Sequence, residues 1–131
     1  MGVLLDFVLV FVGGGIGASL RYGMMFIPYE KEDLYGFSLI TFLINLMGSF
    51  IIGFVAEASS EKIISNHFIT FLKIGVLGGF TTFSSFSLDN LEMLEKGHYV
   101  TAGVYISLSV LVCLAGTFLG QALAKTIFKK A

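Results

Sequence analysis

The chain has 131 residues, 56% of them hydrophobic and 13% charged, with a formal net charge of −1. Soluble domains carry about 25% charged residues. Half that share, with the apolar residues gathered into long runs, marks an integral membrane protein in a lipid bilayer. A near-neutral charge and the lack of a basic cluster among aromatics argue against a nucleic-acid partner.

Four apolar segments approach the ~20 residues that a spanning helix needs, at about 3–26, 36–57, 67–94 and 99–124. The first lacks the basic region of a secretory leader and is read as a span. It holds Gly13, Gly14, Gly15 and Gly17 and closes on Arg21. The connection from Pro28 to Tyr35 carries Glu30, Lys31, Glu32 and Asp33, with Pro28 as the expected stop. The second segment places Thr41 and Asn45 one turn apart, then Gly48, Ser49 and Gly53. A short polar loop, Ala58 to Asn66, leads to the third. Glu95-Lys96-Gly97-His98 follows as a tight turn, Gly97 serving as helix C-cap. The fourth aligns Thr101, Tyr105, Ser109 and Cys113 on one face, then Gly116 and Gly120. Gly13/Gly17, Ser49/Gly53 and Gly116/Gly120 have the small-xxx-small spacing of closely packed membrane helices. Such short loops leave no room for a soluble domain, so residues 1–131 read as one all-α, four-helix membrane domain.

The third segment is the unusual one. A straight helix over 67–94 would be roughly 42 Å long, against a hydrocarbon core of ~30 Å. Gly75, Gly78 and Gly79 lie ahead of Thr81, Thr82, Ser84, Ser85 and Ser87, the hydroxyls interleaved with Phe83 and Phe86. Each Gly costs roughly 1 kcal/mol against Ala in a helix, so the glycines are the expected site of a break. Two readings stay open: a broken helix that offers carbonyls, hydroxyls and phenyl rings to something polar, or a packing kink lined by small residues. Irregular backbone in hydrocarbon must be covered by protein or line a watery cavity.

Two polar side chains also admit two roles each. Arg21 either snorkels to the interface or draws anions into a vestibule. Asn45 either bonds a neighbouring helix or offers its amide hydrogens to an anion. Asp6, Glu57, Asp89 and Glu92 all read as lying near span ends, so the embedded acid of a proton-coupled exporter is missing. His67 and His98 lack second ligands, the single Cys113 has neither disulfide nor metal partner, and no catalytic set is visible, so no enzyme is expected. Lys62, Lys73, Lys125, Lys129 and Lys130 fall on one membrane face and Arg21, Lys31 and Lys96 on the other. That bias is weak and is compatible with insertion in both orientations.

With these residues assembled, the sequence resembles the CrcB/Fluc family of fluoride ion channels. The likeness rests on Gly17-Ala18-x-x-Arg21-Tyr22, on Thr41-x-x-x-Asn45-x-x-Gly48, and on the run Gly78 to Ser87, with Ser85 where many members have Thr. The resemblance implies an antiparallel, dual-topology dimer with two fluoride pathways. It implies a structural Na+ at the dimer centre, held by backbone carbonyls of Gly78 and Thr81 from each subunit. It assigns the pathway to Asn45, Phe83, Phe86, Ser84, Ser85, Tyr105, Ser109 and Thr41, and a vestibule position to Arg21. Passive export of fluoride across the cell membrane, the inner one in a two-membrane host, would confer fluoride resistance. Three alternatives stand beside it: one subunit of a heterodimeric channel paired with a homologous subunit, a subunit that does not transport, or a small proton-coupled exporter.

Overall fold

A computed structural model describes residues 2–29 and 35–128. Glu30, Lys31, Glu32 and Asp33 of the first connection, and Lys129 and Lys130 of the tail, lie outside the described residues. Four long helical stretches are apolar enough to cross a membrane: Gly2–Met24, Leu39–Ser60, Asn66–Glu95 and Tyr99–Phe128. They match the four expected spans to within a few residues. The third has the lowest mean hydropathy, 1.3 against 2.0 or more for the others, because the hydroxyl-rich stretch lies within it. Helices suit this setting because each satisfies its own backbone where no water is present to do so.

Helix α1 (Gly2–Met24) ends four residues before Pro28, its last turn tightened by bonds from Met25, Phe26 and Ile27 to carbonyls three residues back. Helix α2 is Leu39–Ser60. The third span is composite. A single turn, α3 (Asn66–Ile69), is capped by the Ser65 hydroxyl, which accepts from the Phe68 N–H at 3.3 Å. A π-helical stretch, Thr70–Val76, follows, and then a second short turn, α4 (Leu77–Phe80). After two extended residues the chain resumes as α5 (Phe83–Glu95). Helix α6 is Tyr99–Phe128.

Helices α2 and α6 form the most extensive pair. They run parallel: Leu46 meets Gly116, Phe50 meets Gly120, and Glu57 accepts from Gln121 Nε2 at 3.1 Å. A Cβ on Gly120 or Gly53 would collide with backbone of the facing helix, so these small residues set the spacing. Helix α1 runs parallel to the stretch 66–80 in the same way. A Cβ on Gly13 would lie 2.6 Å from the Phe71 carbonyl oxygen, and Gly75 faces Gly13 in return. Asp6 joins the N-terminal ends of this pair through His67 Nδ1 at 2.8 Å. Ser49, by contrast, faces a groove and not a helix.

The break differs from expectation in its cause and its place. Gly78 and Gly79 are themselves helical, and the chain leaves the helix at Thr81 and Thr82. Gly75 and Gly79 serve close approach to α1; it is hydrogen bonding, described next, that stops the helix.

Candidate functional site

Thr81 (ψ 157°) and Thr82 (φ −150°, ψ 111°) are extended. The Thr81 N–H still reaches the Leu77 carbonyl at 3.0 Å. In a continued helix the Thr82 N–H would bond the Gly78 carbonyl. It bonds Asn45 Oδ1 instead, at 2.8 Å, while Asn45 Nδ2 donates to the Thr82 carbonyl at 3.0 Å. One amide side chain on α2 thus clasps both polar groups of one residue on the third span. The Thr82 hydroxyl then starts α5 by accepting from the Ser85 N–H at 3.1 Å, as an N-cap. Gly48, one turn along α2, leaves the space that the Thr81 methyl fills. Asn45 therefore does hold a neighbouring span, and its amide keeps one further hydrogen for the groove it lines.

That groove, of about 380 Å³, lies on one side of the break between α2, the third span and α6. Asn45, Thr82, Phe83, Phe86 and Ser109 line it, with Lys73 and Ser49 also on its wall. The Phe83 and Phe86 rings lie 5.4 Å apart between centroids, tilted at 43°. Phe86 also packs on Tyr105 at 5.2 Å, whereas Phe83 is 78% exposed. Ser109 is buried, and its hydroxyl has no hydrogen-bond partner among the described residues. Buried polar groups are nearly always paired, so this hydroxyl is an open donor.

A second groove of about 380 Å³ lies beyond the break, lined by Tyr29, Ser38, Thr41, Ser85, Asp89 and Glu92 among others. The Ser38 hydroxyl donates to Thr41 Oγ1 at 2.8 Å. Tyr105 is fully buried, its hydroxyl against Thr41 and 3.5 Å from Asp89 Oδ2. The tyrosine hydroxyl of Tyr29 donates to the Phe37 carbonyl. The expected pathway residues accordingly divide: Asn45, Phe83, Phe86 and Ser109 on one groove, Thr41 and Ser85 on the other, Tyr105 packed beside both sets. Ser84 is exposed, lies 3.3 Å from the Thr82 hydroxyl, and lines neither groove.

Arg21 does not extend away from the protein. It is partly buried and its Nη1 lies 3.4 Å from the Thr81 carbonyl, at the break itself. Gly78 faces open space, a Cβ there meeting nothing within 4 Å. Two carboxylates expected near span ends are buried: Asp89 is 6% exposed beside Tyr105, and Glu57 is 6% exposed beside Gln121 and Lys125. Spacing gives the reason for Asp89, since it falls one turn after Ser85 on the groove face. Lys73, counted with the lysines of one membrane face, instead lies within the third span on the first groove, and Ser38, given no role by the sequence, lines the second.

The CrcB-like protein family (Camphor Resistance, CrcB) matches residues 8–121, a stretch that includes every residue of both grooves discussed here. The chain belongs to the CrcB family. Among its CrcB relatives, it is 45% identical over 116 residues to the fluoride-specific ion channel FluC of Helicobacter pylori strain J99, covering 87% of this chain and 88% of that one. It is 38% identical over 127 residues to the FluC of Elusimicrobium minutum, covering 97% and 99%. Similarity to the FluC of Ruminiclostridium cellulolyticum is 40% over 128 residues, covering 97% and 98%.

Proposed function

We propose that this chain is a fluoride-specific ion channel, not an enzyme, that lets fluoride leave the cytoplasm passively and so lowers its toxicity. Its relatives support the reading. The structural observation that carries it is a single groove holding the unpartnered Ser109 hydroxyl, the spare Asn45 amide hydrogen and the Phe83 and Phe86 rings. Fluoride is small and tightly hydrated, so a pore must replace its water with closely spaced donors. Hydroxyl and amide hydrogens do this, and an aromatic ring edge is electropositive. Thr41 and Ser85 extend the track beyond the break, with Tyr105 packed beside it and Ser84 at its margin. Arg21 adds a fixed positive charge near the middle.

The working unit in this reading is an antiparallel pair of copies with dual topology, in the cell membrane. Phe83 and the Gly78 face are uncovered in one chain, and hydrocarbon tolerates irregular backbone only where protein covers it or where it lines a watery cavity; a second copy would supply the cover away from the groove. Gly78 and Thr81 are fitting ligands for Na+. Asn45 takes the N–H that the Gly78 carbonyl would have bonded, and a Cβ at Gly78 would meet nothing within 4 Å. Carbonyl oxygens carry two lone pairs, so Thr81 can accept from Arg21 and still bind a cation. When bound, the ion supplies a positive charge that offsets the carbonyl dipoles freed by the break.

The test is fluoride efflux from liposomes that hold the purified chain, with chloride as control. The wild type should release fluoride and retain chloride, and Phe83→Ile should slow release by about tenfold, the loss of one favourable ring-edge contact. Chloride release, efflux that requires an imposed proton gradient, or no efflux from a well-folded dimer would each overturn the reading. The last would point to a required homologous subunit.

A further inference from the structure

Lys73 is the one residue of the ion-facing groove that carries a full positive charge. It lies seven residues into the third span, about 10 Å along the helix from Asn66. No hydrogen bond or ion pair involves it among the described residues, and none involves Ser49 across the same groove. It sits in the π-helical stretch Thr70–Val76, in which the Leu77 N–H bonds the Leu72 carbonyl five residues back. The wider turn of such a helix shifts the side chains that follow relative to a regular α-helix. Lys73 and Gly78 both line the groove. A charged side chain inside a span is costly unless it faces protein or a water-filled cavity, and the groove supplies the cavity.

We propose that the Lys73 ammonium, with the Ser49 hydroxyl, forms an anion-binding site at the end of the groove nearest His67, where fluoride is gathered before it meets Phe83 and Ser109. The inference rests on the fluoride-channel reading. Three features combine in one groove: an unpaired cation on the third span, an unpaired hydroxyl on α2, and the orphaned Ser109 hydroxyl on α6. A cation roughly 6 Å from an entering anion in water raises its local concentration about threefold at low salt, and screening removes the effect at high salt.

The experiment compares wild type, Lys73→Gln and Lys73→Arg by single-channel recording or liposome efflux at low fluoride, in dilute buffer and in a high concentration of an impermeant salt. The inference expects about threefold slower fluoride transport for Lys73→Gln in dilute buffer, no difference in high salt, and wild-type rates for Lys73→Arg. Equal rates for Lys73→Gln and wild type in dilute buffer would overturn it, as would a loss that persists in high salt and is shared by Lys73→Arg. The second result would mean that the side chain matters through packing. A wild-type chain that moves no fluoride overturns the channel reading itself and this inference with it. A conducting wild type with an unaltered Lys73→Gln overturns the inference alone.

Discussion

Asn45 makes two hydrogen bonds to one residue 37 positions away. Removing the amide would leave the Thr82 N–H and carbonyl unpaired in a low-dielectric setting, each worth about 0.5–2 kcal/mol in a membrane protein. Asn45→Ala should therefore lower stability by about 1–3 kcal/mol, read by thermal unfolding in detergent, and abolish fluoride transport. Loss of transport with unchanged stability would separate the amide's contact with an ion from its clasp on the backbone. The sequence already shows an amide deep in an apolar run, and chemistry demands a partner for it. It does not show which one, because the partner is backbone on another span and backbone looks alike at every position. Lys73 was hidden for a related reason. It lies in a π-helical stretch whose residues, Thr70 to Val76, have no distinguishing pattern, and only the packed structure places it on the groove.

At the scale of elements, two helix ends allow a controlled comparison. After α5, the N–H groups of Gly97 and His98 bond the carbonyls of Leu94 and Met93 at 3.1 and 2.8 Å, with Gly97 at φ 78°. After α2 the same pattern recurs: Lys62 and Ile63 bond Ser59 and Ala58, both at 3.1 Å. Here the left-handed position is held by Lys62, at φ 55°. A non-glycine residue there costs about 1 kcal/mol. Lys62→Gly should raise stability by up to that amount, offset in part by the greater freedom of glycine in the unfolded chain, and Gly97→Ala should lower it by about 1 kcal/mol. Chemical denaturation of both variants in detergent tests the pair. Gly97 was readable as a cap because glycine is favoured there; Lys62 was not, since nothing in its chemistry favours a left-handed residue. The third span teaches the same lesson. Its length required an interruption, but glycine propensity pointed two or three residues too early. What stops the helix at Thr81 and Thr82 is competition for one N–H from Asn45 together with capping by the Thr82 hydroxyl.

For the whole molecule, hydropathy alone located four spans, because lipid imposes one length and one polarity on each. Which spans are neighbours was not legible. Small-residue spacing occurs in three segments, but the residues that each set faces are known only from packing. The exposed break carries a prediction at this scale. A Cβ on Gly78 meets nothing within 4 Å in one chain, so Gly78→Leu should leave the fold of a single chain intact. If two copies meet at that face, the same substitution should abolish crosslinking of the pair in detergent and with it fluoride transport. Retention of a crosslinked dimer would show that copies join elsewhere.

The parallel pairing of α2 with α6 bears on biosynthesis. Glu57 and Gln121 are separated by 64 residues. At ~5–20 residues per second, α2 leaves the ribosome roughly 3–13 s before its partner exists. Through that interval Glu57 has neither Gln121 nor Lys125 beside it, and Asn45 waits through a shorter one for Thr82. The nascent chain thus passes through a stage in which its second span carries an acid and an amide unmatched. Quality-control proteases that survey unassembled membrane segments have their clearest opportunity there, and a chain truncated before α6 would leave Glu57 without Gln121 and Lys125 permanently.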